Sequence, residues 1–128
     1  MSTIKVDTIK TTSNVEVFTC KAWVNFDGTT NTGGTCTIRA SGNVTSITDN
    51  GTGNYTVNFA TAMADANYQV SMSSVSYFST NFSTFAFIRA GSSATTANQK
   101  TTTQLNVMYG SYGGTYFDCA EMNVAIFR

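Results

Sequence analysis

The sequence predicts an all-β fold: an antiparallel β-sandwich of jelly-roll-like type, built as one domain over residues 1–128. Three observations predict it. Apolar and polar residues alternate with a period of two through most of the chain. Connectors rich in Gly, Asn and Ser interrupt that alternation at short intervals, as in sandwiches and barrels. Only Ala60–Ala66 has helix-forming composition, and seven residues are too few to hold an isolated helix, so one helical turn at most is expected there. A chain of 128 residues buries roughly two thirds of its unfolded surface, enough for a single core.

The elements follow in chain order. Residues 1–14 are expected to form a strand or arm that docks on neighbours. From Val15 to Phe26 the side chains of Phe18, Cys20, Ala22, Val24 and Phe26 share one face, and Thr19, Lys21 and Asn25 share the other with Val15, Val17 and Trp23. This predicts a long strand covered in part on both faces, with Trp23 beneath a neighbouring subunit or strand. Asp27-Gly28 through Gly34 reads as a turn. A hairpin is predicted between Val44–Ile47 and Asn54–Phe59, because Asp49-Asn50-Gly51-Thr52-Gly53 supplies residues that tolerate φ > 0. Further half-buried strands are expected at Tyr68, Val70 and Met72, at Phe85 to Ile88, at Leu105, Val107 and Tyr109, and at Ala120, Met122, Val124 and Ile126. Gly91–Ser93 and Gly110–Gly114 are read as turns.

Composition narrows the function. Charged residues make up 11% of the chain, under half of the usual share of about 25%. Low charge with 12% aromatics is the reverse of a disordered composition. Seven basic and seven acidic residues cancel without clustering, so no nucleic-acid partner is expected. No apolar run approaches the roughly 18 residues of a membrane span, and the N-terminus has no apolar leader segment, so no membrane insertion is expected. A surface made of hydroxyls and amides suits contact with other subunits. The absence of Pro, one common means of blunting sheet edges, points the same way, and a homotrimer is expected.

The chemistry that remains is sparse. The chain has no His, which removes the commonest general base and a favoured zinc ligand. Cys20, Cys36 and Cys119 are odd in number and lack a C-x-x-C pair, so free thiols are expected, at least two of them packed as small hydrophobes. Asp49, Asp65, Asp118 and Glu121 could in principle form a glycosidase pair, but Asp27 and Asp49 sit in turn sequences where Asp caps backbone amides and Glu121 lies within a strand pattern, so the structural reading is the stronger. No calcium loop or phosphate-binding loop is present in the sequence. Asn-x-Ser/Thr triplets at Asn43, Asn54 and Asn81 arise readily in a chain this rich in Asn and Thr. The expectation is a non-enzymatic protein without cofactor or metal. Its candidate contact residues are Trp23 and the aromatics in or beside the glycine-rich 110–115 segment, Tyr112, Tyr116 and Phe117. Tyr77, Phe78, Phe82, Phe85 and Phe87 are expected mainly in the core.

One stretch carries a resemblance. Lys21-Ala22-Trp23-Val24-Asn25-Phe26-Asp27-Gly28, then Thr37 to Val44, then Ser46-Ile47-Thr48-Asp49-Asn50-Gly51-Thr52-Gly53-Asn54-Tyr55-Thr56-Val57-Asn58-Phe59, resembles a domain of tail-fibre or virion structural proteins from marine and cyanobacterial bacteriophages. The likeness begins with the Ser2–Ile9 opening and runs to Tyr68, with Ala64 where that family often carries Pro. It implies a virion structural protein, tail-fibre or knob-like, acting in assembly and host attachment, with other virion proteins and a host surface glycan or protein as partners. A capsid decoration protein and a carbohydrate-binding module are the alternatives.

Overall fold

The computed structural model describes residues 2–4, 8–15, 18–75, 84–88 and 99–128. Val17, Tyr77, Phe78, Phe82, the Asn81 triplet and the Gly91–Ser93 connector lie outside the described residues. Among the described residues there is no helix, and eight strands form one sheet: β1 (Cys20–Thr32), β2 (Thr35–Gly42), β3 (Val44–Asp49), β4 (Asn54–Phe59), β5 (Gln69–Val75), β6 (Thr84–Phe87), β7 (Gln104–Ser111) and β8 (Glu121–Phe127). The spatial order is β5-β8-β1-β2-β3-β4-β7-β6, and every pairing is antiparallel. The two edge strands, β5 and β6, lie against each other, so the sheet curls almost into a barrel. The two layers expected of a sandwich are the opposite halves of this single sheet, and its interior is filled by side chains.

Period-two alternation places the core. Ala22, Val24 and Phe26 of β1, Tyr55, Val57 and Phe59 of β4, Leu105, Val107 and Tyr109 of β7, and Met122, Val124 and Ile126 of β8 all point inward and are buried. Phe26 meets Tyr55 edge to face at 5.2 Å, and Phe59 meets Tyr68 at 5.9 Å, geometries that suit the ring quadrupoles. The predicted hairpin is β3–β4, closed at Asp49–Gly53 by Asn50 N–H donating to Asn54 O and Asn54 N–H to Gly51 O.

Several expectations are corrected. The long strand starts at Cys20 rather than Val15, and it runs on through the predicted turn to Thr32. Bulges beside Asn25/Phe26 and within Asp27–Thr32 bend it, so the polar stretch pairs with β2 at Asp27 and again at Thr32, and the turn falls at Gly33-Gly34. A further irregularity between Cys20 and Ala22 breaks the inward parity, which leaves Cys20 exposed. Ala60–Ala66 forms bends without a helical turn, held by Met63 N–H donating to Thr102 O at 2.7 Å. In β6 it is Ala86, with Ile88 just beyond, that packs on the core, and Phe85 takes the outer face, its ring tilted 51° against Phe87 at 5.3 Å.

At the chain's N-terminal end, residues 2–4 and 8–15 belong to none of the sheet's strands. A local turn joins Thr11 N–H to Val15 O and Asn14 N–H to Thr11 O. At the other end, Arg128 forms a two-nitrogen clamp on the Asp65 carboxylate, at 3.1 and 2.5 Å.

Candidate functional site

Register assembles an outer face around Trp23. On β1 the inward residues Ala22, Val24 and Phe26 alternate with outward Trp23 and Asn25. Trp23 pairs with Gly42 of β2 on one side and Ala125 of β8 on the other, and Ala125 pairs with Ser71 of β5. The next outward row is Ala40, Asn25, Asn123 and Ser73. Trp23 is therefore the one large side chain in two four-strand rows of small or amide residues. Its indole lies across Gly42 so closely that a Cβ built there would collide with Nε1. With the pyrrole side of its ring against that glycine, Trp23 keeps 44% of its surface exposed. Among the described residues, no strand covers it. On its other side, a groove of about 230 Å³ runs past Ser71, Ser73, Asn123 and Ala125.

Beside the indole a polar ladder fixes the second row. Asn25 Nδ2 donates to Asn123 Oδ1 at 2.8 Å and to Glu121 Oε1 at 3.2 Å, and Asn123 Nδ2 donates to the same Glu121 oxygen. Asn25 Oδ1 accepts from Arg39 Nη1, and Arg39 Nη2 bonds Asp27 Oδ2 at 2.9 Å and Ala120 O at 2.8 Å. One cation and two carboxylates thus hold the amides in place, and side chains supplied from β1, β2 and β8 become one preorganised surface.

The remaining candidate aromatics are elsewhere. Tyr112 stands 91% exposed at the tip of the loop that follows β7. Tyr116 lies over Gly110, and Phe117 packs against the core. Counted around the sheet in either direction, three strands separate β1 from β7, so the Trp23 face and the Tyr112 loop occupy opposite walls. At strand spacings of about 4.8 Å they form no common patch.

Each carboxylate weighed as a catalytic group has a structural partner. Asp49 accepts from Gly51 N–H and Asn31 Nδ2, Asp65 from Asn67 N–H and Arg128, and Glu121 from the two amides described above. Asp118 Oδ1 caps Gly53 N–H at 2.9 Å and lies 3.2 Å from Tyr55 Oη. Gly53 has φ of 64° and a Cβ there would collide with the Tyr109 and Phe117 carbonyls, so no larger residue fits this cap. Among the described residues no three acidic or cysteine side chains group as a metal site. All three cysteines are free thiols, Cys36 and Cys119 buried. Burial, with Asp49, Asp118 and Asp27 nearby, pushes the Cys36 thiol up to about 11, and burial likewise raises Cys119.

Sequence reasoning singled out Trp23 but missed Gly42, Asn25, Asn123 and Arg39. The outward parity of Trp23 and Asn25 was legible; their cross-strand neighbours were not. Asn43, one of the candidate glycosylation positions, has φ of 56°, its Nδ2 donates to Lys21 O and Thr61 O, and its Oδ1 accepts from Thr61 N–H, so that side chain is committed to tying three segments. The chain matches no protein-family model, no curated protein and no solved structure.

Proposed function

We propose that this chain is a structural protein of a bacteriophage particle, tail-fibre or knob-like, working in assembly and host attachment through its surfaces and without catalysis. The observation that carries the reading is the N-terminal arm. Ile4, Ile9, Val15 and Phe18 stand 89%, 51%, 59% and 74% exposed ahead of β1. Burying one such side chain is worth about 1.5–3 kcal/mol, and a chain that leaves four of them in water within one short segment offers them to a partner. The resemblance supports the same reading, since its residues build the β1–β4 meander directly behind the arm. The charge-poor exterior is suited to close subunit packing.

Light scattering tests the assembly. A homotrimer has three times 13.7 kDa, about 41 kDa, and Phe18→Ser with Ile9→Ser shifts it toward monomer. A wild-type mass near 14 kDa at micromolar concentration refutes the trimer. Immunogold labelling of intact particles tests the location: label at the tail supports the fibre reading, label over the whole head supports capsid decoration, and no label at either refutes a virion role.

A further inference from the structure

We propose that the groove beside Trp23 binds a neutral pyranose ring of a polysaccharide, with the indole as its stacking platform. This deepens the host-attachment part of the proposed function by naming a ligand class and a site, and its test reads the isolated chain, so it can fail while the particle assignment stands. The geometry that carries it is the seating of Trp23. Cross-strand Gly42 lies against the pyrrole side of the indole around Nε1, and small neighbours, Ala125 and then Ser71, flank the ring along the row, where Trp23 stays 44% exposed. A sugar ring presents apolar C–H groups on its faces and hydroxyls around its rim, so it needs a flat aromatic surface with hydrogen-bonding groups beside it. Here the Asn25 amide stands one row away on the same strand, the Asn123 amide one row away on the neighbouring strand, and the hydroxyls of Ser71 and Ser73 two strands away across β8. The amides are already oriented by Arg39 and Glu121, so little entropy is lost in fixing them.

Size and charge favour a sugar over other occupants. Eight described residues line the groove, against roughly 20–30 on each side of a standard protein interface. Its 230 Å³ falls just under the roughly 300 Å³ at which ordinary small-ligand sites begin, which suits one ring of a longer chain. Arg39 is paired with Asp27, Glu121 is engaged by the two amides, and among the described residues that line the groove there is no Lys or Arg to attract an anionic ligand.

Trp23 is the only tryptophan in the chain, which makes its emission a direct reporter. The full-length protein is titrated with maltohexaose, cellohexaose, mannohexaose and the polysaccharide of a host envelope. At least one of them is expected to change the emission saturably. Asn123→Ala is expected to weaken that binding about threefold to tenfold, the worth of one hydrogen bond. Ala125→Arg, which fills the groove from the outer face without touching the core, is expected to abolish it, and Tyr112→Ala to leave it unchanged. Absence of a saturable change with all four probes overturns the proposal. So does binding that survives Ala125→Arg, binding lost in Tyr112→Ala alone, or an emission change that follows protein concentration without sugar, which would assign the groove to a second copy.

Discussion

Removing one hydroxyl, in Tyr55→Phe, probes the join between the sheet and the segment before β8. Tyr55 is fully buried, and its hydroxyl lies 3.1 Å from Gly28 O, accepts from Cys119 N–H at 3.2 Å and sits beside Asp118 at the rim. Phenylalanine keeps the ring against Phe26 but leaves the Cys119 amide, on a residue with no solvent exposure, without its acceptor. An unsatisfied buried donor costs about 1–3 kcal/mol, whereas the exposed side of Asp118 regains water at little cost. The expected loss is about 2 kcal/mol, which for a domain of this size lowers Tm by roughly 8 °C. Gly28→Ala attacks the same contact from the other side, because its Cβ would collide with the Tyr55 hydroxyl and sit 2.6 Å from Cζ. Overpacking of this kind costs about 1–3 kcal/mol. In the double variant the nearest colliding atom is gone, so the two losses sum to less than additivity by at least about 0.5 kcal/mol. Urea denaturation of all four proteins, followed by circular dichroism, measures the cycle. A Tyr55→Phe loss below about 0.5 kcal/mol, or strict additivity with Gly28→Ala, would refute the buried hydroxyl as the tie.

Thiol accessibility gives a second outcome: with Cys20 exposed and Cys36 and Cys119 buried, a thiol reagent at neutral pH should label one cysteine per native chain and three after unfolding, and two fast-reacting thiols would contradict the burial. Alkaline pH should destabilise the fold. Burial raises Cys36 to about 11, Tyr68 to about 12 and Tyr55 further, so these groups stay protonated when folded but ionise in the unfolded chain from their ordinary values of 9.0 and 10.0. Their contribution is complete below pH 9 and declines as pH rises toward the folded values; a flat stability from pH 8 to 11 would contradict it. Asp65 shifts oppositely: its hydrogen bond from Arg128 holds its carboxyl below the ordinary carboxylate range, so the clamp persists as pH falls past 3.8 and opens only as Asp65 protonates, which a carboxyl-carbon NMR titration reads directly. Gly42→Val should unseat the indole and shift Trp23 emission to longer wavelength, with no shift expected if the ring does not rest on Gly42.

The strands that read well were those with one clean buried face. β4 alternates buried and half-buried at every residue, and its hairpin with β3 carries its own turn chemistry, so both were visible locally. β2 was missed because only Cys36 among its eight residues is buried, leaving almost no apolar period to detect. β6 misled for a related reason: Phe85 and Phe87 outweigh Ala86 and Ile88 in size, yet parity in the assembled sheet turns the smaller residues inward. Phe18 shared the apolar parity of β1 without joining the strand, because pairing with β8 begins only at Cys20.

By itself the sequence determined the class of the fold, the inward faces of most strands and the hairpin turn, because a pleated strand alternates its side chains whatever it pairs with. Tertiary structure alone decided the strand order, the curling of one sheet nearly onto itself, and the company Trp23 keeps. Asn25 and Asn123 are 98 residues apart in the chain and 2.8 Å apart in the fold. Such a juxtaposition depends on which strands pair and in what register, and no period within a single strand encodes it.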